Sequence, residues 1–322
     1  MGATVSEDTK QIMVSVIVLT YNHERYIAQA LESILNQKTD FAVEILVGDD
    51  VSTDGTREIL RRYQVRFPEQ IRLFERAENL GATRNAYELL YEARGEYLAF
   101  CEGDDYWTAE DKLARQVQFL QEHPTFIGCS HRCELVDELG RKKENQKLSW
   151  VKERKVFTLA DFKGLYLPGQ TATIVKRNIF RNSAEDYRFL YQANSGISDR
   201  TTTLLYLTKG PFGFLPETMS AYRQVENAGM TNRLYKNNPE RLRHELEYTQ
   251  KLEEIAATLT EQRDIFRDYY CQLYATAVYR WVRHPDGNGK QLIFETAKHI
   301  GRGPIHPAAF VRGLAQKLLA RR

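Results

Sequence analysis

No apolar run in this 322-residue chain approaches the roughly 20 residues that a bilayer-spanning helix needs, so a membrane span is not expected. The first ten residues, MGATVSEDTK, lack the apolar core of a secretory signal. Cysteine is scarce. Cys101, Cys129, Cys133 and Cys271 are too few and too scattered for a disulfide framework, and a reduced, cytoplasmic compartment fits best. Charge of one sign is also lacking: the net charge of +2 leaves no strongly basic face, so a nucleic-acid partner is not expected. Internal repeats and low-complexity tracts are absent. What remains is an ordinary globular composition, 42% hydrophobic, 27% charged and 11% aromatic. That is enough for one large core, or for a medium domain with a smaller appendage. Cys129, His131 and Cys133 form a C-x-H-x-C pattern. Strand alternation puts all three on one face and no second ligand pair follows, so a half-buried strand is expected there rather than zinc.

Strand-like and helix-like segments alternate through the first half. Residues 14–20 are a near-continuous β-branched apolar run, the signature of a strand buried on both faces. A helix follows with Ile27, Leu31, Ile34 and Leu35 on one stripe. Residues 43–48 read as a second strand that stops at Asp49 and Asp50. A turn at Ser52-Thr53-Asp54-Gly55 leads to a helix carrying Ile59, Leu60 and Tyr63. Residues 71–74 are a short strand, and Asn79-Leu80-Gly81 opens a helix using Ala86, Leu89, Leu90 and Ala93. Residues 97–101 form a strand ending at Glu102-Gly103-Asp104-Asp105, and Thr108 with Asp111 resembles a capping pair for the helix after it. Such alternation predicts a mostly parallel, doubly wound α/β sheet. Further strands are expected near residues 126–136, 171–175 and 212–215, and a helix over 201–208. Beyond Pro239 charged amphipathic helices run from about 240 to 283, break at His284-Pro285-Asp286-Gly287 and resume. The expected division is an extension over 1–12, an α/β domain over 13–235 and a helical subdomain over 236–322.

Doubly wound sheets bind ligands beyond the carboxyl ends of their strands. Here those ends carry Thr20-Tyr21-Asn22, Asp49-Asp50 and residues 102–105. Paired carboxylates at buried strand ends are costly unless compensated. A hard divalent cation carrying substrate phosphates would compensate them, because Mg²⁺ or Mn²⁺ prefers oxygen ligands. Asp50 and Asp54 have a plainer reading as caps of the following helix.

Three motifs, Val14 to Asn22, then Asp49-Asp50-Val51-Ser52-Thr53-Asp54-Gly55-Thr56, then Cys101 to Trp107, occur in the order and spacing of a known family. Over about residues 13–225 the chain resembles the inverting family 2 glycosyltransferases of the GT-A fold. The resemblance implies transfer of a sugar from a nucleotide-sugar donor, UDP-linked first, to a saccharide, lipid-linked or protein acceptor, with a Mn²⁺ or Mg²⁺ cofactor. It implies that Tyr21, with Thr20 beside it, lies against the nucleotide base and that Asp49 hydrogen-bonds that base. It places Arg84 where a base- or phosphate-contacting cation often stands. Its D-x-D motif matches Glu102-Gly103-Asp104, with Asp104 on the metal. Glu102, one methylene longer than the usual Asp, would keep an anionic role toward ribose or metal, and Asp105 would orient the acceptor or cap the next segment. The general base of the family is an Asp at a helix start, which matches Asp199, with Asp186 as runner-up. Gln170, Thr171 and Thr173 could line the acceptor side, and Arg223 could reach the phosphates.

Two other classes compete. A sugar-nucleotide-synthesising nucleotidyltransferase would need a glycine-rich phosphate loop after the first strand, and Leu19-Thr20-Tyr21-Asn22-His23 has no glycine. A non-catalytic nucleotide-sugar-binding protein would have no use for Asp49, Asp104 and Asp199 together. Residues 308–322 form a basic amphipathic stretch. It would suit peripheral contact with the inner face of a membrane or simple docking on the helical subdomain. Homo-oligomerisation is left open by the sequence.

Overall fold

The computed structural model describes residues 11–144, 146–194, 199–225, 240–262 and 264–300. A nine-stranded sheet runs β3 (Ile71–Glu75), β2 (Ala42–Asp49), β1 (Ile12–Thr20), β4 (Tyr97–Phe100), β8 (Val175–Arg177), β6 (Gly128–Val136), β9 (Phe212–Arg223) and β5 (Tyr106–Trp107), with β7 (Val156–Phe157) paired to β9. The first four are parallel; β8 runs antiparallel to both its neighbours, and β6 pairs parallel with β9. This is the mostly parallel α/β sheet that the alternation predicts.

β1 explains why its sequence is an unbroken apolar run. Val14, Val16 and Val18 pack into a core with Ile27, Leu31 and Ile34 of α1 (Ile27–Leu35) and Leu113, Val117 and Leu120 of α4 (Lys112–Glu122). Ile17 turns to the opposite core with Tyr87, Leu89 and Leu90 of α3 (Gly81–Glu92) and Leu204 and Leu205 of α5 (Asp199–Leu207). Helices on both faces leave the strand nowhere polar to point. α2 (Thr56–Arg66) follows β2.

The chain closes with α6 (Arg241–Leu259), α7 (Arg267–Arg283) and α8 (Gly287–Ile300). Leu246 and Leu252 of α6, Phe266 just before α7 and Tyr270 within it join the same apolar cluster as Leu204 and Tyr206 of α5, so this helical region shares a core with the α/β part. Among the described residues no helix is long and apolar enough to cross a membrane.

Three local expectations need correction. Residues 171–173 form a 3-10 turn rather than a strand, because the Gln170 side chain accepts the Ala172 N–H and its carbonyl the Thr173 N–H; the strand begins only at Val175. Thr108 and Asp111 make no capping pair: Asp111 precedes α4 without a side-chain cap and accepts from Arg115 Nε at 2.7 Å instead. Asp50 caps α3, not α2, its carboxylate accepting the Leu80 and Gly81 N–H groups at 2.7 and 2.9 Å. The expected boundary at 235/236 and the basic stretch 308–322 lie outside the described residues.

Candidate active site

The ends of β1 and β2 are adjacent, Thr20 pairing with Asp49, and the loops beyond them are stitched together. Val51 is held at φ 65°, uncommon for a β-branched residue, and Asn22 at φ 58°. These two turns let Ser52 Oγ accept the Asn22 N–H at 2.9 Å and Asn22 Oδ1 accept the Thr53 N–H at 2.8 Å. Asp54 accepts from Thr56 and from the Glu24 N–H, which closes the same seam. Asp49 is fully buried. Its Oδ2 accepts from Arg57 Nε at 2.6 Å and from the Ser52 N–H at 3.1 Å, while Oδ1 has no partner. Thr20 Oγ1 is likewise buried and unpartnered. Unmet buried acceptors at a strand end are places for a ligand's donors.

The third strand end carries the acids. Ligand oxygens of Glu102, Asp104 and Asp105 all lie within 4.8 Å of one another. Gly103 lets this loop close on β1: a Cβ there would sit 2.7 Å from His23 Nδ1 and 3.0 Å from Thr20 Oγ1. Asp105 is tied down, its oxygens accepting from Gln170 Nε2 at 2.8 Å and the Arg223 N–H at 2.9 Å. Glu102 and Asp104 have no hydrogen bond to their carboxylates among the described residues; Asp104 faces only His23 Nε2, at 3.9 Å. Burial, with Asp104 and Asp199 adding repulsion, pushes the Glu102 carboxyl up to about 8, and burial raises Asp105 as well. An all-oxygen set that repels itself fits a hard divalent cation on Glu102 and Asp104, with Asp105 behind them as a support.

Asp199 opens α5, accepting the Arg200 N–H at 2.7 Å. Burial raises its carboxyl above the ordinary range. Arg200 donates to Glu245 of α6 at 3.0 Å, and Tyr269 of α7 donates to the same carboxylate at 2.6 Å. Asp199 and Glu102 line one cavity of about 40 Å³, with Leu19, Phe100, Thr171, Thr202, Thr203 and Lys176 among its other walls. Asp199 and Glu102 thus share a small cavity, with Asp104 next to Glu102 and the unpartnered oxygens of Thr20 and Asp49 on the adjacent strand ends.

A family model described as glycosyl transferase family 2 matches residues 15–183, more than half of the chain. The chain belongs to that family. A stretch of 211 residues is 37% identical to an uncharacterised protein of Mycobacterium tuberculosis, covering 65% of this chain and 58% of that protein. Another, of 193 residues, is 32% identical to the poly(ribitol-phosphate) β-N-acetylglucosaminyltransferase TarS of Staphylococcus aureus, covering 56% of this chain and 32% of TarS. The match thus spans less than two thirds of these relatives' length. The fold is also similar to that of the TarS fragment 1–349 crystallised with UDP-GlcNAc, with a TM-score of 0.63 at 17% identity over 88% of this chain and 79% of that one. A mannosyltransferase of Pyrobaculum calidifontis in complex with GDP-Man and Mn²⁺ gives a TM-score of 0.52 at 20% identity over 97% and 81%. The architecture is the GT-A fold with a helical C-terminal region.

In this family member, Thr20, Asp49, Glu102 and Asp104 stand on neighbouring strand ends, Tyr21 follows β1 half-buried, and Asp199 lines the same cavity as Glu102. Arg84 lies exposed in the first turn of α3, with Glu88 at 3.9 Å. Asp186 is on the surface, bonded to the Tyr91 hydroxyl and the Arg188 N–H, and does not line the cavity. Arg223 is not free to reach a phosphate, because its guanidinium is spent on four oxygens of the protein itself. Cys129, His131 and Cys133 sit on β6 and gather no metal-ligand cluster among the described residues. Three residues were not singled out in advance. His23 directly follows the Tyr-Asn motif, a signal within reach. Arg76, whose backbone N–H donates to the Asp49 carbonyl at 3.0 Å and whose Nη2 is buried without a partner, carries no local signal. Neither does Lys176, 5% exposed between the Phe100 and Tyr206 rings, where burial lowers its ammonium to about 7.

Proposed function

We propose that this chain transfers a hexose-type sugar from a nucleotide-sugar donor, UDP-linked, to a saccharide, lipid-linked or protein acceptor, with inversion at the anomeric carbon. The observation that supports it is the cavity shared by Asp199 and Glu102, which sets a base candidate in the same small space as one of the two proposed cation ligands. Thr20, Tyr21 and Asp49 hold the nucleoside, with Asp49 Oδ1 accepting from the base. Glu102 and Asp104 hold the divalent cation. When bound, that cation supplies countercharge to the departing diphosphate. Asp199 accepts the acceptor hydroxyl's proton as the oxygen attacks in a single displacement, and a carboxyl raised by burial is a stronger base for that task than an ordinary one. The TarS fragment's UDP-GlcNAc and the mannosyltransferase's Mn²⁺ agree with a nucleotide sugar and a divalent ion here. A role in polysaccharide synthesis agrees with the teichuronic acid biosynthesis glycosyltransferase among the similar proteins, and we propose a cytoplasmic site for it.

The test is a panel of nucleotide sugars incubated with purified protein, with and without Mn²⁺ or Mg²⁺, scored for hydrolysis and transfer. One donor should turn over in a metal-dependent way and yield a product of inverted anomeric configuration. No turnover of any donor, or a retained configuration, would overturn the reading. Liposome co-sedimentation with and without residues 304–322 decides whether the basic stretch contributes to membrane contact.

A further inference from the structure

Arg223, the last residue of β9, is 4% exposed, yet it has no salt bridge among the described residues. Its Nε donates to the Asp104 carbonyl at 2.9 Å, its Nη1 to the Asp137 and Glu138 carbonyls at 3.3 and 3.0 Å, and its Nη2 to Gln29 Oε1 at 2.7 Å. Its backbone N–H holds Asp105 Oδ1 at 2.9 Å. The guanidinium plane lies between two rings, 4.6 Å from Tyr26 and 5.3 Å from Tyr106. Buried guanidinium groups ordinarily take a carboxylate. This one takes four neutral oxygens from α1, from the acid loop and from the turn after β6. A planar fork with fixed donor directions can join such separate pieces, and a lysine's single ammonium cannot.

The flanks of the loop are held, Asp105 by Gln170 and Trp107 by Ser33, but Asp104 at its centre is held less. Gly103 N–H donates to Leu19 and Asp105 N–H to Glu102, while the Asp104 carboxylate has no hydrogen bond among the described residues. We propose that Arg223 is a positioning residue for the acid cluster: it fixes the Asp104 peptide from behind, so that the Asp104 carboxylate stays aimed beside Glu102 before any ligand arrives. Its charge, one peptide removed, also opposes the mutual repulsion of the three acids. The inference rests on reading Glu102 and Asp104 as the cation ligands, and preorganisation of this kind appears as affinity.

The experiment uses R223K, R223M and, as a milder perturbation of the same anchor, Q29A. Hydrogen exchange in the metal-free protein should be about tenfold faster or more over residues 102–107 in both Arg223 variants, and unchanged over 12–20. Mn²⁺ affinity, read by EPR of the free ion, should fall about tenfold or more in both, with metal-free UDP affinity unchanged. Q29A, which removes one acceptor of four, should have a smaller effect. Wild-type exchange over 102–107 in folded R223K, or acceleration spread evenly over the whole chain, overturns the proposal. So does an R223K that matches wild-type Mn²⁺ affinity, because charge alone would then suffice. If the wild type itself binds no Mn²⁺, the cation reading fails, while the exchange measurement still decides the role of Arg223.

Discussion

Substituting Asp49 by asparagine tests the nucleotide site at the level of one atom. Oδ2 of this fully buried side chain accepts from Arg57 Nε at 2.6 Å and the Ser52 N–H at 3.1 Å, and Oδ1 has no partner. Two donors converge on the Oδ2 position, so an asparagine must keep its carbonyl oxygen there and turn its NH₂ to where Oδ1 stood. The acceptor offered to the base becomes a donor. Uracil presents N3–H at its pairing edge, and a donor would then oppose a donor. Losing a hydrogen bond to a charged acceptor costs about 2–3 kcal/mol, or about 30- to 150-fold in UDP affinity. Cytosine presents an acceptor at N3, so CDP should lose little or gain, and the UDP/CDP preference should collapse. Folding should suffer less, because the bond from Arg57 survives in weaker, uncharged form; a loss of about 1 kcal/mol would lower Tm by about 2 °C. Calorimetric titration of UDP and CDP, with a thermal melt of each protein, measures all three quantities. UDP binding within threefold of wild type, or an unchanged UDP/CDP ratio, would refute the role given to Oδ1 and leave Asp49 as a partner of Arg57 alone.

Asp104→Ala should abolish metal-dependent turnover with Tm within about 2 °C of wild type, because no hydrogen bond to that carboxylate exists to lose among the described residues. Full activity with the cognate donor would remove Asp104 from the cation site. Asp199→Asn should bind donor normally and transfer about 10²- to 10⁴-fold more slowly; a near-wild-type kcat would put the base elsewhere. In the metal-free protein Glu102 should contribute a loss of stability as pH rises from about 4.5 to about 8, since folded Glu102 keeps its proton over a window in which the unfolded chain has released it. His131, lowered by burial to about 3, and Lys112 and Lys176, lowered to about 7, contribute in the opposite sense, so the comparison is with Glu102→Gln. The Tm of the wild type minus that of Glu102→Gln should fall from pH 5 to 8, and saturating Mn²⁺, which requires the ionised carboxylates, should flatten or reverse the fall. A difference that climbs across that range would contradict the raised Glu102 carboxyl.

The parts of the fold that were legible from residues alone are those whose cause is local. β1 could be read because burial on both faces leaves an unbroken apolar run, and α1 because one face repeats at helical spacing. The strand-end acids were legible because polar residues have no other reason to interrupt such runs. β8 was misplaced because its start depends on Gln170 folding back on Ala172, a preference that Thr-Ala-Thr does not advertise. Asp50 was assigned to the wrong helix because its partners, Leu80 and Gly81, come from the next crossover. Arg223 read as a free cation because its decisive bonds reach 85 to 194 residues back along the chain. Lys176 and Arg76 were invisible for the same reason: what distinguishes them is the company that the fold gives them.

The Arg200–Glu245–Tyr269 contact carries a consequence for how this chain could be rebuilt. Only one peptide bond separates Arg200 from the carboxylate proposed as base, and the anchor of Arg200 lies on a helix that begins after residue 240. The terminal helices are therefore no interchangeable handle. A chimera that grafts another family member's tail onto this sheet would have to import a carboxylate of its own for Arg200. Without one it should still hold donor and melt cooperatively while its turnover drifts, a hybrid that passes every binding assay and fails only at the chemistry.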